Sequence, residues 1–369
     1  MRILLTSDLH LGMKFAGYPE VRGELSEERF RCLDRIIAEA NRRGCDLLVV
    51  AGDLFERVGA SRRDIERAAA SVGRFGGKLA AILPGNHDYL EPDDELWRRF
   101  RSASGDRVLL LSAPRPHALE HFDLPGVTLY PAPCTAKHSA SNAIGWVSAQ
   151  SREARPGLAV GVAHGSVEGY SPDFQGEYYP MSLAELRDAG VRLWLLGHTH
   201  LPFTASPAPG CLLLCAGTPE PDGFDCRHGG SVTLVTIEGE GEPEVELIPT
   251  GAYRFRDETL ELTPGVDAAA LVRRYGSPDA KRTLLRLELE GSLSREERAA
   301  LGELRKELER SLLFCDWRDA LLRDRIERSD IDDEYPAGSF PHQLLTTLAD
   351  SGDAEALQTA YELLEESRR

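Results

Sequence analysis

Five short apolar runs in this chain end in side chains that bind metal ions, and this pattern constrains the fold more than any other feature. The clearest run covers 78–83, stops at Pro84-Gly85, and is followed at once by Asn86, His87 and Asp88. Its length fits a buried strand, and the glycine lets the backbone turn sharply after it. The other four runs end in the same way, at Asp8-Leu-His10, Gly52-Asp53, His164-Gly165 and Gly197-His198-Thr199-His200.

If these strands lie side by side in one sheet, the polar groups converge, because open α/β sheets place their sites at the carboxyl ends of strands. Oxygen and imidazole ligands without thiolate suit Mn, Fe or Zn better than a structural zinc site. Two ions held roughly 3.5–4 Å apart can clamp the attacking and leaving oxygens of a phosphoryl displacement. A lone histidine is more often an ordinary core or surface residue, but that accident would have to recur at five strand ends. The candidate ligands are Asp8, His10, Asp53, Asn86, His164, His198 and His200.

The motifs DxH, GD, GNHD, H and GHxH, in this order, resemble those of the calcineurin-like metallophosphoesterases, over about the first 250 residues. A narrower set is similar to the SbcD/YhaO group, the nuclease subunits of double-strand-break repair complexes. The segments that carry this likeness are Asp8-Leu-His-Leu-Gly12, Gly52-Asp-Leu-Phe55, His164-Gly165, Trp194-Leu-Leu-Gly-His-Thr-His200 and Ala216-Gly-Thr-Pro219. The resemblance implies an α+β sandwich, with two mixed β-sheets packed face to face and helices outside.

The same resemblance implies a role for each site residue. Asp8, His10 and His200 would hold one metal ion, and Asp53 would bridge it to the second. That second ion would be held by Asn86, His164 and His198. The family's usual metal is Mn²⁺, although the ligands alone also admit Fe or Zn. A bridging water would attack phosphorus in line.

His87 follows a ligand without being one in this assignment. It would stabilise the charged transition state or protonate the leaving oxygen, as a positioned imidazole commonly does. Asp88 would orient His87 without itself binding a metal ion.

Composition limits the class of protein. The net charge of −17 argues against a nucleic acid substrate, because phosphate backbones usually meet a basic surface. Local charge distribution, two bound divalent ions or a basic partner subunit would offset that objection. The seven cysteines include no CxxC pair, which disfavours a disulfide framework or a thiolate zinc site. No apolar run is long enough for a membrane span, and no signal peptide is evident, so we expect a cytoplasmic protein.

We expect three domains: a metallophosphoesterase domain over 1–250, a small α/β capping domain over 251–330, and an acidic linker with C-terminal helices over 331–369. Strands predicted over 212–216, 231–238 and 244–248 would complete a second, antiparallel sheet. Four aromatic residues in the loop 165–181 would contact substrate as a lid or simply pack down; they are Tyr170, Phe174, Tyr178 and Tyr179.

In SbcD-like proteins the C-terminal tail grips an SbcC-like coiled-coil ATPase, which predicts the same role for residues 340–369. The alternative is that this tail packs on its own capping domain. The apolar anchors would be Leu344, Leu348, Tyr361 and Leu364.

Three functions follow from these patterns. The first is a Mn-dependent DNA exonuclease or endonuclease acting on double-strand ends or single strands, either alone or as a homodimer. The second is a phosphatase or cyclic-nucleotide phosphodiesterase built on the same core. The third is a non-catalytic scaffold, which the complete ligand set disfavours.

Overall fold

The computed structural model describes residues 1–147, 157–239, 241–263, 265, 268–276 and 279–368. The chain divides into two compact units, Met1–Arg254 and Phe255–Arg369. The first unit contains every predicted metal ligand. Among the described helices, none combines the length and the apolar character that crossing a membrane requires.

The first sheet of unit 1 has six strands in the order β12-β11-β1-β2-β3-β4. Strands β1 to β4 run parallel, and β11 and β12 extend the sheet antiparallel beside β1. The strand bounds are β1 Arg2–Thr6, β2 Leu47–Ala51, β3 Leu79–Leu83, β4 Val108–Leu110, β11 Ser231–Thr236 and β12 Glu244–Pro249.

The second sheet has the order β5-β6-β7-β8-β10-β9, with β6, β7, β8 and β10 parallel. Its strands are β5 His117–Ala118, β6 Val127–Ala132, β7 Leu158–His164, β8 Leu193–Gly197, β9 Phe203–Ala208 and β10 Cys211–Cys215. The predicted two-sheet fold is confirmed. However, the strands predicted near 231–238 and 244–248 belong to the first sheet, where β11 pairs with β1.

The two sheets enclose a common core. Ile3, Val49 and Leu83 from the first sheet share one buried cluster with Val160 and Leu195 from the second. The five ligand-bearing strands are therefore split between two facing sheets and do not lie side by side in one sheet. The groups still meet, because the carboxyl ends of β1, β2 and β3 lie beside those of β7 and β8.

Helices cover the outer faces of both sheets. Buried apolar residues of the first three helices form a second core against the outer face of the first sheet. Ser61 and Ser182 cap their helices by accepting hydrogen bonds from Asp64 N and Glu185 N, with the three-residue spacing of a capping box. The helices of unit 1 are α1 Arg22–Arg42, α2 Arg62–Val72, α3 Glu95–Ala103 and α4 Leu183–Asp188. The helix predicted over 140–154 falls partly outside the described residues.

Unit 2 contains a three-stranded sheet of order β13-β14-β15, in which β14 and β15 are parallel. A capping box at Ser294 and Glu297 begins the helix that joins them. Leucines from this helix and from β14 form the core. The elements are β13 Arg254–Leu262, α5 Ala268–Tyr275, β14 Thr283–Leu293, α6 Arg295–Ser311 and β15 Phe314–Asp324.

The acidic segment near 329–338 is not the linker that its composition suggested. Residues Arg328–Glu334 form helix α7, and Ile331 and Tyr335 are buried in a cluster with Leu345 and Leu357. Burial of the apolar side chains that lie between the acidic ones holds this segment in place within unit 2. The last two helices are α8 Phe340–Ser351 and α9 Ala354–Arg368.

The same cluster contacts residues that were predicted to bind the ATPase. Leu348, Tyr361 and Leu364 pack against it, so they are engaged within unit 2. The large apolar side chains that remain exposed on these helices are Phe340 and Leu363, at 73% and 61%.

Candidate metal centre

All seven predicted ligands lie on the ends of strands or on the loops that follow them. Asp8 and His10 follow β1, Asp53 follows β2, and Asn86 follows β3. From the second sheet, His164 is the last residue of β7, and His198 and His200 follow β8. Asp8, His10, Asp53, Asn86 and His164 are at most 1% exposed. The structure thus brings together groups that are up to 192 positions apart in the sequence.

Asp8, His10 and His200 form one compact ligand group. One ligand atom from each lies within 4.8 Å of the other two. His10 Nε2 is 3.2 Å from His200 Nε2, and His200 Nε2 is 3.9 Å from Asp8 Oδ1. Two imidazole nitrogens this close cannot both point a hydrogen at the other, so at least one lone pair faces inward. This geometry fits a divalent cation.

The other predicted group surrounds Asn86. Its Oδ1 atom is 2.9 Å from His164 Nε2 and 3.2 Å from His198 Nδ1. The amide oxygen and two imidazole nitrogens therefore converge on one point. Such a mixed oxygen and nitrogen set is typical of sites for divalent transition metals.

Asp53 lies between the two groups. Its Oδ2 atom is 3.3 Å from His164 Nε2 and 3.8 Å from His10 Nε2. A carboxylate in this position can share its oxygens between two ions. The assignment of individual ligands to each ion remains a prediction, with which these distances are compatible.

Neighbouring charges and burial set the pKa values of the ligand side chains. Burial alone would raise the pKa of Asp53, but nearby His164, His10 and His87 hold it well below its usual value. Burial opposes a charge on His164, yet the adjacent Asp53 raises the pKa of His164 to about 9. Burial and the charge of His164 lower the pKa of His198 to about 4. The centre therefore keeps a carboxylate charge that a cation would neutralise.

The outward-facing nitrogens of three ligand histidines are held by other groups. His164 Nδ1 lies 2.8 Å from the carbonyl oxygen of Ala51, and His200 Nδ1 lies 2.9 Å from Asp222 Oδ2. His10 Nδ1 is 3.0 Å from Glu56 Oε2. These partners favour a hydrogen on Nδ1, which leaves the Nε2 lone pair for a metal.

Sequence reasoning missed Glu56, Asp222 and Arg29. Arg29 is 1% exposed, donates a hydrogen bond of 2.8 Å to Leu9 O, and lies 3.5 Å from Asp222. It supports the loop that carries Asp8 and His10. Glu56 comes directly after the Gly52-to-Phe55 motif, and this adjacency was the one available signal. Only the fold brings Asp222 and Arg29 to the site, so the motifs themselves give no signal for them.

Several ligands occupy strained backbone conformations. Asp8, His10, Asp53 and His198 have φ angles of 54°, 46°, 53° and 95°. Non-glycine residues in this region cost on the order of 1 kcal/mol or more each and cluster at functional sites. These backbone conformations turn the side chains toward a common point immediately after the strands end.

Two glycines of the motifs lie so close to neighbouring side chains that a Cβ atom would clash with them. A Cβ on Gly52, whose φ is +94°, would lie 2.0 Å from His164 Nδ1. A Cβ on Gly85 would lie 2.2 Å from Asp53 Oδ1. Glycine at these positions lets neighbouring loops and ligands pack against bare backbone.

His87 lies at the edge of the centre, with its side chain 30% exposed. Its backbone N donates to Asp53 Oδ1 at 2.9 Å, and its Nδ1 lies 3.0 Å from Glu56 O. The carbonyl fixes a hydrogen on Nδ1, so Nε2 is the atom that can take up or release a proton. His87 also forms a compact group with His10 and Asp53, so its proposed role needs a test that separates catalysis from metal binding.

Asp88 does not orient His87 as predicted. Its buried carboxyl accepts hydrogen bonds from Gly85 N at 2.7 Å and Phe55 N at 2.9 Å. Burial, together with the charge of Asp53, raises the pKa of Asp88 to about 8. Asp88 therefore ties the loop after β3 to the loop after β2, and its effect on His87 is indirect.

The aromatic loop divides into packed and open parts. Tyr179 is buried, and its hydroxyl accepts hydrogen bonds from Thr135 N and Ala136 N, so it is structural. Phe174 is 97% exposed. Tyr170 and Tyr178 line a cavity of about 450 Å³ together with His198 and His200. The loop therefore packs down at Tyr179, and substrate contact by Tyr170 and Tyr178 stays a prediction.

A buried two-sheet sandwich with paired metal-ligand groups at one edge defines a class of metal-dependent phosphoester hydrolases. The model of the calcineurin-like phosphoesterases matches residues 1–202. The chain belongs to this family, whose members use a dinuclear metal centre.

Two relatives extend the comparison. The chain is 24% identical over 208 residues to the uncharacterized metallophosphoesterase YhaO of Bacillus subtilis, a match that covers 53% of this chain and 47% of YhaO. It is 24% identical over 291 residues to the DNA double-strand break repair protein Mre11 of Methanopyrus kandleri, covering 70% of this chain and 61% of Mre11. The chain thus spans about half to three fifths of the length of these relatives.

Solved structures with a related fold include a protein from Thermus thermophilus and a dimetal phosphatase from Danio rerio. Each aligns with 67% of this chain, at 14% and 12% identity, with TM-scores of 0.45 and 0.43. The aligned parts cover 98% and 95% of those two proteins.

Proposed function

We propose that this chain is a Mn²⁺-dependent phosphodiesterase that cuts DNA, the nuclease subunit of a DNA repair complex. The observation that carries the proposal is the placement of Asp53 between two ligand groups, with the imidazole of His87 beside it. Two groups that share one carboxylate suit the paired ions of phosphodiester hydrolysis.

In this proposal Asp8, His10 and His200 would hold one ion, Asn86, His164 and His198 would hold the other, and Asp53 would be shared between them. The bound ions would supply a water nucleophile of lowered pKa and neutralise the phosphate oxygens. The protein orients three of the four ligand imidazoles, those of His164, His10 and His200, through Ala51 O, Glu56 and Asp222. Five of the seven ligands are buried, and His198 and His200 face the cavity through which a substrate would enter.

His87 would deliver a proton to the leaving oxygen from Nε2. Nδ1 is held by Glu56 O at 3.0 Å, and the Glu56 carboxylate lies 4.0 Å from the same nitrogen. Partial exposure leaves the ring open to a bound substrate. General acids of this kind contribute about 10²–10⁴-fold to rate.

DNA as the substrate is supported by the likeness to Mre11, whose match covers 70% of the chain and so exceeds residues 1–202 of the family model. The cavity beside His198 and His200 is lined by Tyr170 and Tyr178. Tyr170 is 39% exposed, and aromatic rings beside a phosphodiester site can stack on bases.

The proposed complex includes an SbcC-like coiled-coil ATPase bound to residues 340–369. Phe340 and Leu363 are the exposed apolar residues available for that contact. A homodimer of this chain is also compatible with the proposal.

A phosphatase or cyclic-nucleotide phosphodiesterase is the second candidate, and the net charge of −17 favours it. The test is incubation of the purified protein with Mn²⁺ and linear or single-stranded DNA, with EDTA and Mg²⁺ controls. Parallel reactions contain p-nitrophenyl phosphate and cyclic nucleotides. Cleavage of DNA that EDTA abolishes supports the nuclease, whereas hydrolysis of small phosphoesters alone would replace it with the second candidate.

A further inference from the structure

A second cavity of unit 1, of about 450 Å³, lies along the connection from β1 to α1 and the start of α2. Its charged lining consists of four basic side chains, Lys14, Arg22, Arg63 and Arg67, and two acidic ones, Glu27 and Asp64. This is a local surplus of positive charge on a chain whose net charge is −17.

The two acidic side chains already have partners. Glu27 accepts two hydrogen bonds from Arg67, at 2.7 and 2.6 Å. Asp64 accepts one from Ser61 Oγ at 2.7 Å, next to its own helix start. Arg63 also interacts electrostatically with Glu27, but neither acid forms a hydrogen bond with Lys14, Arg22 or Arg63 among the described residues.

Lys14, Arg22 and Arg63 are exposed and, within the described part of the chain, have no hydrogen-bonded or ion-paired side chain. Most other arginines on α1 and α2 do have one: Arg31, Arg35, Arg42, Arg62 and Arg67 each pair with a glutamate. Three unpaired cations around one cavity are available for an external anion.

The cavity is close to the metal centre along the chain. Gly12, Met13 and Lys14 follow the ligand His10 directly, and Met13 N donates to His10 O at 3.1 Å. Four residues of extended chain span at most about 14 Å, which bounds the backbone distance from His10 to Lys14. Phosphates of one DNA strand advance about 3.4 Å per nucleotide along the helix axis, so this reach corresponds to about four nucleotides.

We propose that this cavity binds backbone phosphates of the substrate DNA strand, within about four nucleotides of the bond that is cut. The inference rests on the proposed nuclease function and specifies how an acidic chain holds a polyanion. The unpaired cations neutralise the strand at one place, while the rest of the surface stays acidic. Because the contacts go to phosphates, binding here is independent of base sequence.

The test compares two variants of the full-length protein. One carries Arg22→Ser and Arg63→Ser in the cavity. The matched control carries Arg98→Ser and Arg115→Ser, two exposed arginines of the same unit that do not line the cavity. The probes are a labelled single-stranded 15-mer and a dinucleotide without terminal phosphates. The one phosphodiester of the dinucleotide is the bond that is cut, so no phosphate remains to occupy the cavity.

For the 15-mer we expect the cavity variant to bind more weakly and to have a higher KM. The slope of log K against log salt concentration should fall by about 1.4, the value for two lost phosphate contacts on a single strand. Cleavage of the dinucleotide should be unchanged, and the control variant should match the wild type on both probes.

The cavity proposal is overturned if the salt slope and KM of the cavity variant equal those of the wild type while the wild type cuts the 15-mer. It is equally overturned if the control variant shows the same loss. A wild-type protein that hydrolyses p-nitrophenyl phosphate but neither binds nor cuts the 15-mer overturns both this inference and the nuclease function.

Discussion

Asp222 Oδ2 lies 2.9 Å from Nδ1 of His200, on the side of the imidazole opposite the metal centre. Burial disfavours a charge on His200, but Asp222, followed by Asp8, raises the pKa of His200 to about 9. In return the pKa of Asp222 is held well below its usual value by His200, against the effect of burial. Asp222, which was not predicted from the sequence, therefore orients His200, which was predicted to be a metal ligand.

The variant Asp222→Asn should weaken Mn²⁺ binding by about 10–100-fold, the usual effect of removing such a supporting carboxylate. The apparent Mn²⁺ constant for activation is the readout, and turnover should largely recover at saturating metal. Asp225→Asn is the matched control, because Asp225 lines the same cavity. An unchanged Mn²⁺ constant in Asp222→Asn would show that this carboxylate does not tune the site.

Replacing Asp53 tests whether the centre is dinuclear. The wild-type protein saturated with Mn²⁺ should contain two ions per chain by elemental analysis. Asp53→Asn should weaken the binding of both, because its Oδ2 faces His164 and His10 from the two groups. Thermal unfolding in EDTA serves as the folding control. One ion per wild-type chain would exclude the shared-carboxylate arrangement.

His87→Gln should lower turnover on DNA by about 10²–10⁴-fold while metal content and KM change little. The loss should be much smaller on bis-p-nitrophenyl phosphate, since p-nitrophenolate leaves without being protonated. An equal loss on both substrates would argue against proton donation. Loss of an ion would show that His87 is a ligand with His10 and Asp53.

The ligand residues could be predicted from the sequence because each comes directly after its strand, so the signal is local. The assignment of strands to sheets could not, because β11 pairs with β1 across more than 220 residues. The same holds for Arg29 and Asp222, which are joined only by the fold.

Composition gave wrong predictions of secondary structure where a few buried residues determine the structure of a segment. Four of the ten residues 329–338 are acidic, yet Ile331 and Tyr335 bury the segment against Leu345. Strand β15 was missed because Asp316, Arg318 and Asp319 interrupt its apolar pattern. The roles of the capping domain and the tail stay predictions.

Metal binding should release protons. In the metal-free protein the pKa values of His164 and His200 are raised to about 9, so both carry a proton at pH 7. Only the neutral imidazole binds a metal, and each proposed ion has one of these histidines. Below pH 9 the affinity for each ion should therefore fall about tenfold per pH unit as the pH falls. Calorimetric titration with Mn²⁺ in buffers of different ionisation enthalpy counts the protons, and a pH-independent affinity would contradict the prediction.

Truncating the tail is a poor test of the proposed ATPase contact, because it would remove Leu345 and Leu357 and uncover Ile331 and Tyr335. The double variant Phe340→Ser and Leu363→Ser avoids this problem, since both side chains are mostly exposed. It should keep the melting temperature and metal content of the wild type, yet no longer co-purify with a co-expressed SbcC-like ATPase.

The control for this last experiment is Leu345→Ser, which places a hydroxyl in a fully buried position. A large-to-small change of this kind costs about 2–5 kcal/mol, so this variant should unfold unit 2 at a lower temperature. If the double variant binds the ATPase with unchanged affinity, Phe340 and Leu363 are not the docking residues. If the wild type itself never binds it, the partner assignment fails while the catalytic assignment stands, because the metal centre lies wholly in Met1–Arg254.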